Sequence, residues 1–336
     1  MEAPAVSILM PAYNASPYLE EALVSVQAQE REDWELVAVD DGSTDETPAL
    51  LRKAAASDPR IRPLFLPHRG LVPALNAGLA ACRAPLVARM DSDDRMHPAR
   101  LSRQVAFLAA HPEVDLVGCL IECFPRAQIQ EGLARYEEWL NSLVSHEEIL
   151  RDLFVESPFA HPSVLFRKER VTQLGGYRDC GWAEDYDLWL RLHQAGARFA
   201  KVPEVLHFWR DRPERLTRTA EEYSLRNFRR LKIHYLCQGI LREPGPVLIW
   251  GAGRGGKAWC ACLEEAGIEI AGFVDIDPKK IGRTRRGRPV IAPEDLPPAG
   301  SLPVLVTVGV KGARELIRAA LHARGYQELR DFVCVA

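Results

Sequence analysis

Three carboxylates fall within four residues at Asp91, Asp93 and Asp94, at the end of the short run Val87-Ala88-Arg89-Met90. Such a run reads as a buried strand whose carboxyl end opens into a cleft. Like charges this close settle together most readily around a hard divalent cation, and Mg²⁺ or Mn²⁺ prefers oxygen ligands. Asp91 and Asp93 are therefore candidates for a metal and nucleotide site, against the simpler reading of a solvated acidic turn that caps the next helix at Asp94. A second acidic strand end, Asp40-Asp41, follows Leu36-Val37-Ala38-Val39, and there too the simpler role is helix capping. A third pair, Glu184-Asp185, opens a helical pattern behind the glycine turn Gly175-Gly176-Tyr177. Carboxylates in a first helical turn are also what the helix dipole favours, so position alone does not make them catalytic.

These groups need a frame that holds them. The chain has 336 residues, 47% hydrophobic and 26% charged, enough for a large core and for two domains. Strand and helix alternate along its first part: a strand over 6–10, a helix with Ser16 as N-cap and Pro17 at its first position, strands over 36–39 and 61–66, a helix over 72–82 and a strand over 86–90. That alternation indicates an α/β domain with a mainly parallel sheet covered by helices. Ligands on such sheets bind beyond the carboxyl ends of the strands, where the first two acidic clusters fall.

The net charge of -3 argues against nucleic-acid binding by the chain as a whole. No apolar stretch approaches the roughly 18 residues of a membrane span. Ser7-Ile8-Leu9-Met10 goes straight into Pro11 without the order of a secretory signal, so the cytoplasm is the expected location. The eight cysteines form no Cys-x-x-Cys pair and read as reduced structural thiols.

Pro11-Ala12-Tyr13-Asn14, Asp40-Asp41-Gly42-Ser43-Thr44-Asp45, Leu75-Asn76-Ala77-Gly78-Leu79, Asp91-Ser92-Asp93-Asp94 with Pro98-Ala99-Arg100-Leu101, and Glu184-Asp185 resemble, in order, the motifs of glycosyltransferase family 2. The resemblance covers the N-terminal two thirds of the chain and rests on the order of the motifs more than on any one of them. That family has the GT-A fold and inverts the anomeric centre of a nucleotide-activated sugar. The resemblance therefore implies a metal-dependent, inverting glycosyltransferase, with Mn²⁺ or Mg²⁺, a nucleotide-diphosphate donor that is most often a UDP-sugar, and a hydroxyl acceptor in glycan or polysaccharide synthesis. It implies Pro11, Tyr13, Asn14 and Asp41 in nucleotide-sugar binding, with Asp41 on the base. It further implies Asp91 on the ribose or the metal, Asp93 on the metal, and Asp185 as general base with Glu184 as its neighbour or substitute. Arg69 is a further nucleotide contact or part of an exposed turn.

Many relatives carry Tyr-Arg-x-His where this chain has Trp209-Arg210-Asp211-Arg212, so an arginine stands at the position of a metal-binding histidine. Either His207 replaces the lost ligand, or Arg212 and Arg215 hold the diphosphate directly; the guanidinium fork favours the second. Trp182 reads as a sugar-stacking or a core residue, and His161 as a hydrogen-bonded structural histidine first and a substrate contact second.

Residues 124–158 read as one or two amphipathic helices on the acceptor side. A helix over 221–236 places Arg226, Arg229, Arg230 and Lys232 on one side, which suits a domain-linking helix first and a peripheral contact with an anionic membrane face second. Beyond a break near 239–245, a strand runs into Gly251-Ala252-Gly253-Arg254-Gly255-Gly256, and a strand over 268–274 ends at Asp275. This is a dinucleotide-binding pattern in its proper context: Gly251, Gly253 and Gly256 admit a pyrophosphate to a helix N-terminus, and Asp275 is placed for ribose hydroxyls. The expected ligand is NAD(P) or a UDP-sugar, or none if the unit serves as an interface. Hydride transfer is disfavoured, because so short a unit supplies one mononucleotide-binding half.

The organisation expected is a GT-A domain over residues 1–238, with a linking helix from 217, and a smaller Rossmann-like α/β domain over 245–336. The partners expected are a nucleotide-sugar donor and a glycan or lipid-linked acceptor, with no nucleic acid; an oligomer is compatible with all of this. The competing class is a non-catalytic sensor of nucleotide sugars or dinucleotides.

Overall fold

A computed structural model describes residues 3–336, which divide into two units. The first comprises residues up to Ile149, Pro158–Cys180 and Glu184–Arg218. Its strands are β1 (Val6–Ala12), β2 (Trp34–Asp41), β3 (Ile61–Leu66), β4 (Leu86–Arg89), β5 (Arg95–Met96), β6 (Leu116–Phe124), β7 (Leu165–Arg167) and β8 (Phe199–Arg210). They form one sheet in the order β3-β2-β1-β4-β7-β6-β8-β5. The first four are parallel, β7 runs antiparallel between β4 and β6, β8 is parallel to β6, and β5 is antiparallel on β8. β1 and β2 are buried at every position, as central strands covered on both faces must be. Register pairs Ala12 with Asp40 and Leu9 with Arg89, so three neighbouring strands release their carboxyl ends along one edge.

The first helix, Ser16–Gln27, shows how the loops there are locked. Ser16 is its first residue and not its cap; the cap comes from across the sheet edge, where Asp45 accepts the Ser16 N–H at 3.0 Å and the Thr47 hydroxyl accepts that of Ala15 at 2.8 Å. Residues 124–158, read as one or two helices, carry two α-helices, Glu131–Ser142 and His146–Asp152. The segment before β7 is a short 3-10 turn, His161–Ser163.

The second unit comprises Leu150–Ser157, Gly181–Ala183 and Thr219–Ala336, so it takes in residues 219–238, which the sequence alone places with the first domain. The reason lies in helix Leu225–Leu236, capped by Ser224, which turns Leu231, Ile233, Tyr235 and Leu236 inward. Lys232, which the charge pattern puts on an exposed basic side, is buried; its ammonium donates to the Val155 carbonyl at 2.7 Å and the Val335 carbonyl at 3.3 Å. Asp152 is also buried here and accepts from Arg318 at 2.6 Å, with Arg314 at 3.5 Å.

The strands of this unit are β9 (Val247–Trp250), β10 (Ile270–Val274), β11 (Thr284–Arg285), β12 (Arg288–Ile291), β13 (Val304–Val306) and β14 (Phe332–Cys334). The order is β11-β12-β10-β9-β13-β14, parallel throughout except for β11 at the edge. Without β11, the chain order across the sheet is third, second, first, fourth, fifth, that of doubly wound sheets, with the switch point beside β9. The eight cysteines are free, and among the described residues no helix is long and apolar enough to cross a membrane.

Candidate active site

At the carboxyl end of β2, Asp41 is 4% exposed and points back into its own edge of the sheet. Its carboxylate accepts the backbone N–H of Arg69 and of Gly70, each at 2.9 Å, and lies 2.8 Å from His68 Nδ1. A carboxylate has about four lone-pair positions, so one further donor can still be accepted. His68 in turn stacks on Tyr13, with ring centroids 4.1 Å apart. Asn14, expected among the nucleotide contacts, is spent on the loop: its backbone N–H donates to Ser43 Oγ at 2.8 Å and its Oδ1 accepts from Thr44 at 2.9 Å. Pro11 is buried within β1, and Arg69 is exposed apart from its backbone bond to Asp41.

The β4 end carries the acid cluster. Asp91, Asp93 and Asp94 bring a carboxylate oxygen each to within 4.8 Å of one another. Asp94 is 1% exposed, which overturns the reading of a solvated helix cap: its oxygens take the Arg210 backbone N–H at 2.7 Å and His207 Nε2 at 2.9 Å. Burial and the Asp91 charge hold the Asp94 carboxyl well above the carboxylate range, and burial with Asp94 and Asp91 pushes Asp93 up to about 6. Asp91 moves the other way, since Arg89, with Nη1 2.7 Å from Asp91 Oδ1, more than offsets its burial. Arg212 Nε lies 2.6 Å from Asp93 Oδ2, and Arg210 donates to the Asp93 carbonyl at 2.6 Å and to Glu21.

His207 is not a ligand in waiting. It is fully buried, and while Nε2 faces Asp94, Nδ1 faces Arg100 Nη1 at 3.1 Å, so neither ring nitrogen is left for a metal. Arg215 sits over the Trp209 ring at 3.8 Å, behind Arg212 in the same loop. The cluster itself fits a hard divalent cation: three oxygen donors converge, and two of the three carboxyls are pushed up by burial and by the repulsion of their neighbours, the second of which a dication would relieve.

Glu184 and Asp185 open helix Glu184–Gln194. The turn before it is fixed by Asn76, which accepts from the Tyr177 N–H and donates to its carbonyl, both at 2.9 Å. Gly176 has φ +72, and a Cβ there would stand 2.5 Å from Asn76 Oδ1, so no other residue allows this clamp. Arg191 closes the turn from the helix side, bonded to Asp187 at 2.7 Å and to the Gly176 carbonyl at 2.8 Å. Burial and Glu184 hold Asp185 well above the carboxylate range. Glu184 stands 3.4 Å from His161 Nδ1, and His161 Nε2 meets the Tyr177 hydroxyl at 3.0 Å.

The charge of Arg89 reaches both acidic groups. The residue is 2% exposed, touches Asp91, and its charge also acts on Tyr177, Glu184 and Asp185. Sequence reading passes over Arg89; the available signal is a lone charge in an otherwise apolar strand two residues ahead of Asp91, since a charge buried there must be paired.

In the second unit the glycine loop is packed as its spacing requires, with Gly251 at φ +117 and a Cβ on Gly256 only 1.7 Å from the Gly251 carbonyl oxygen, while nothing lies within 4 Å of one on Gly253. Asp275 braces this loop: it accepts the Ala252 N–H at 2.9 Å and the Asp277 N–H at 3.0 Å, and pairs with Lys280 at 3.0 Å. The role of ribose acceptor therefore meets a carboxylate already engaged three times.

The model for "Glycosyl transferase family 2" matches residues 7–173. The chain is 35% identical over 206 residues to the amylovoran biosynthesis glycosyltransferase AmsE of Erwinia amylovora, covering 60% of this chain and 74% of that one. It is 31% identical over 264 residues to the putative glycosyltransferase EpsE of Bacillus subtilis, covering 73% and 91%. It is 27% identical to the O-antigen biosynthesis glycosyltransferase WbnJ of Escherichia coli, covering 70% and 97%. Among solved structures, S. aureus TarS 1-349 in complex with UDP-GlcNAc superposes with a TM-score of 0.56 at 19% identity, covering 69% of this chain and 66% of that one. The chain belongs to glycosyltransferase family 2, with the GT-A fold in its first unit, and is a transferase enzyme.

Proposed function

We propose that this enzyme transfers a sugar, with inversion, from a UDP-type nucleotide diphosphate to a hydroxyl of a growing surface polysaccharide, with Asp185 as general base. The observation that carries the reading is the placing of Arg89, which pairs with Asp91 at the donor edge at 2.7 Å while its charge also acts on Glu184 and Asp185 at the helix N-terminus. The charge of one buried guanidinium is thus felt both by a cluster suited to a diphosphate and by a carboxyl suited to take a proton. The AmsE and WbnJ names, both of polysaccharide or O-antigen synthesis, support the acceptor class, and the UDP-GlcNAc complex of TarS supports the donor class.

In the reaction, the acceptor oxygen forms its bond to the anomeric carbon on the face opposite the diphosphate, whose C–O bond breaks, while the acceptor proton passes to Asp185. A carboxyl pushed upward by burial is a stronger base than a solvated one, which suits this role. Tyr13 presents an exposed ring and Asp41 a remaining acceptor position for the base of the nucleotide. Asp91 and Asp93 would hold a divalent cation, which when bound supplies charge neutralisation of the leaving diphosphate. Arg212 and Arg215 add positive charge on the same side. The second unit is read as a Rossmann-like nucleotide-binding module, supported by its strand order and by the open approach at Gly253.

The test is transfer from a panel of nucleotide sugars with Mn²⁺ or Mg²⁺ to a polysaccharide-repeat acceptor, comparing the parent with Asp185→Asn. Loss of transfer with retained donor binding is expected. Equal turnover by the variant removes Asp185 from the mechanism.

A further inference from the structure

We propose that Arg212 is a resident counter-charge of Asp93 that must leave when a metal enters and is taken up by the incoming diphosphate, so that metal and nucleotide bind as a coupled pair. The inference rests on the donor and metal reading above. Three guanidiniums surround the cluster, and they are not equivalent. Arg89 is 2% exposed and fixed behind Asp91. Arg210 is held by the Asp93 carbonyl and by Glu21, and lies over the ring of Phe124, while the Tyr18 ring faces both Arg210 and Arg212. Arg212 instead meets Asp93 from the open side: its side chain is 33% exposed against 15% for Asp93.

Its contact is with the carboxylate itself, Nε to Oδ2 at 2.6 Å. A cation coordinated to the Asp93 carboxylate would lie about 2.1 Å from its oxygen. Two positive groups would then share one carboxylate at a separation where they repel strongly. Arg212 therefore competes with the metal for Asp93 in the nucleotide-free protein.

Charge balance says where Arg212 goes. Of the guanidiniums around the three carboxylates Asp91, Asp93 and Asp94, Arg89 pairs with Asp91 and Arg212 with Asp93, and the charge of Arg215 also acts on Asp94. A dication added alone leaves positive charge in excess; a diphosphate added with it restores the balance. A guanidinium displaced from a carboxylate finds an equivalent fork of oxygens on a diphosphate. By linkage, the factor by which nucleotide tightens the metal is the factor by which metal tightens the nucleotide. The arginine that stands where relatives carry a histidine thus makes metal binding conditional on the donor.

Mn²⁺ binding to the full chain, read by the electron paramagnetic resonance signal of free Mn²⁺, tests this with and without UDP for the parent, Arg212→Gln and Arg212→Lys. Without UDP, Arg212→Gln is expected to bind Mn²⁺ tighter than the parent by about fivefold or more, the low end of ordinary coupling between sites. UDP should then enhance Mn²⁺ binding less in that variant than in the parent. Arg212→Lys keeps the charge and should stay near the parent without UDP. If Arg212→Gln and the parent bind Mn²⁺ alike without UDP, the inference is overturned and the donor reading stands. If the parent binds no Mn²⁺ even with UDP, both fall.

Discussion

Arg100 donates from Nη1 to Nδ1 of His207 across 3.1 Å inside the protein core, and this contact fixes the protonation of the ring. A guanidinium has no acceptor, so Nδ1 carries the lone pair and Nε2 carries the proton, which it donates to Asp94 at 2.9 Å. Burial and the charge of Arg100 hold His207 well below its ordinary pKa, in agreement with a neutral ring. His207 is a brace between a buried cation and a buried acid.

Removing that brace takes the partner of one Arg100 Nη1 donor and of one Asp94 oxygen, while Arg100 keeps Gln104 and the Arg89 carbonyl and Asp94 keeps the Arg210 N–H. His207→Phe is expected to destabilise the chain by about 2–4 kcal/mol, the penalty for stranding that donor and that oxygen. His207→Gln, which keeps one acceptor and one donor, should cost less than half as much. Urea unfolding of the two variants beside the parent checks the ordering, and equal losses would mean that the ring's volume matters and its bonds do not.

Lys201 gives a pH prediction with a definite sign. It is 1% exposed, its ammonium donates to the Leu140 carbonyl at 2.5 Å, and burial pulls its pKa down to about 7. Unfolded, the same group titrates near its usual value of about 10.4. Between those values the unfolded chain holds the extra proton, so this residue makes stability rise with pH, by roughly 1.4 kcal/mol per unit. Lys201→Met should therefore stabilise the protein most at pH 7 and below, and its advantage should shrink as pH rises toward 10. Melting temperatures of parent and variant across that range would show a constant gap if Lys201 does not titrate in the fold.

The pH dependence of turnover should report Asp185. A base must be ionised, so kcat rises as pH passes its pKa, and the upward shift of Asp185 places this limb above the range near 3.9 of an ordinary aspartate. Asp185→Asn should lower kcat by about 10²–10⁴ and remove that limb, with the donor KM little changed. Survival of the limb in the variant would assign it to another group.

Two glycines of the second unit separate folding from binding. A methyl group on Gly256 would sit 1.7 Å from the Gly251 carbonyl oxygen, whereas one on Gly253 meets nothing within 4 Å. Gly256→Ala is expected to destabilise the second unit by about 2 kcal/mol or more through overpacking. Gly253→Ala should melt like the parent and weaken any nucleotide that the parent binds, as read by calorimetry with NAD, NADP and UDP-sugars.

The parts legible in the sequence are those with local causes. Apolar periodicity and glycine spacing give the alternating frame of the first sheet, β9 and the loop after it, and the acids announce themselves by type at strand ends. What stays hidden depends on partners far away in the chain. Asp94 looks like a helix cap because nothing nearby shows that β8 returns to bury it with His207 and Arg210. Lys232 looks like part of a solvated stripe because the carbonyls that receive it belong to Val155 and Val335. Arg100 lies in a recognised motif, yet its partner His207 is 107 residues on, beyond any local rule.

The second unit is sewn from separated pieces of the chain, since Leu150–Ser157 and Gly181–Ala183 are counted with Thr219–Ala336. A protein ended after Arg218 would strip Asp152 of Arg318 and Arg314, and the Val155 carbonyl of Lys232. Shortening a gene at that point would therefore cost stability in segments that the chain lays down well before the cut.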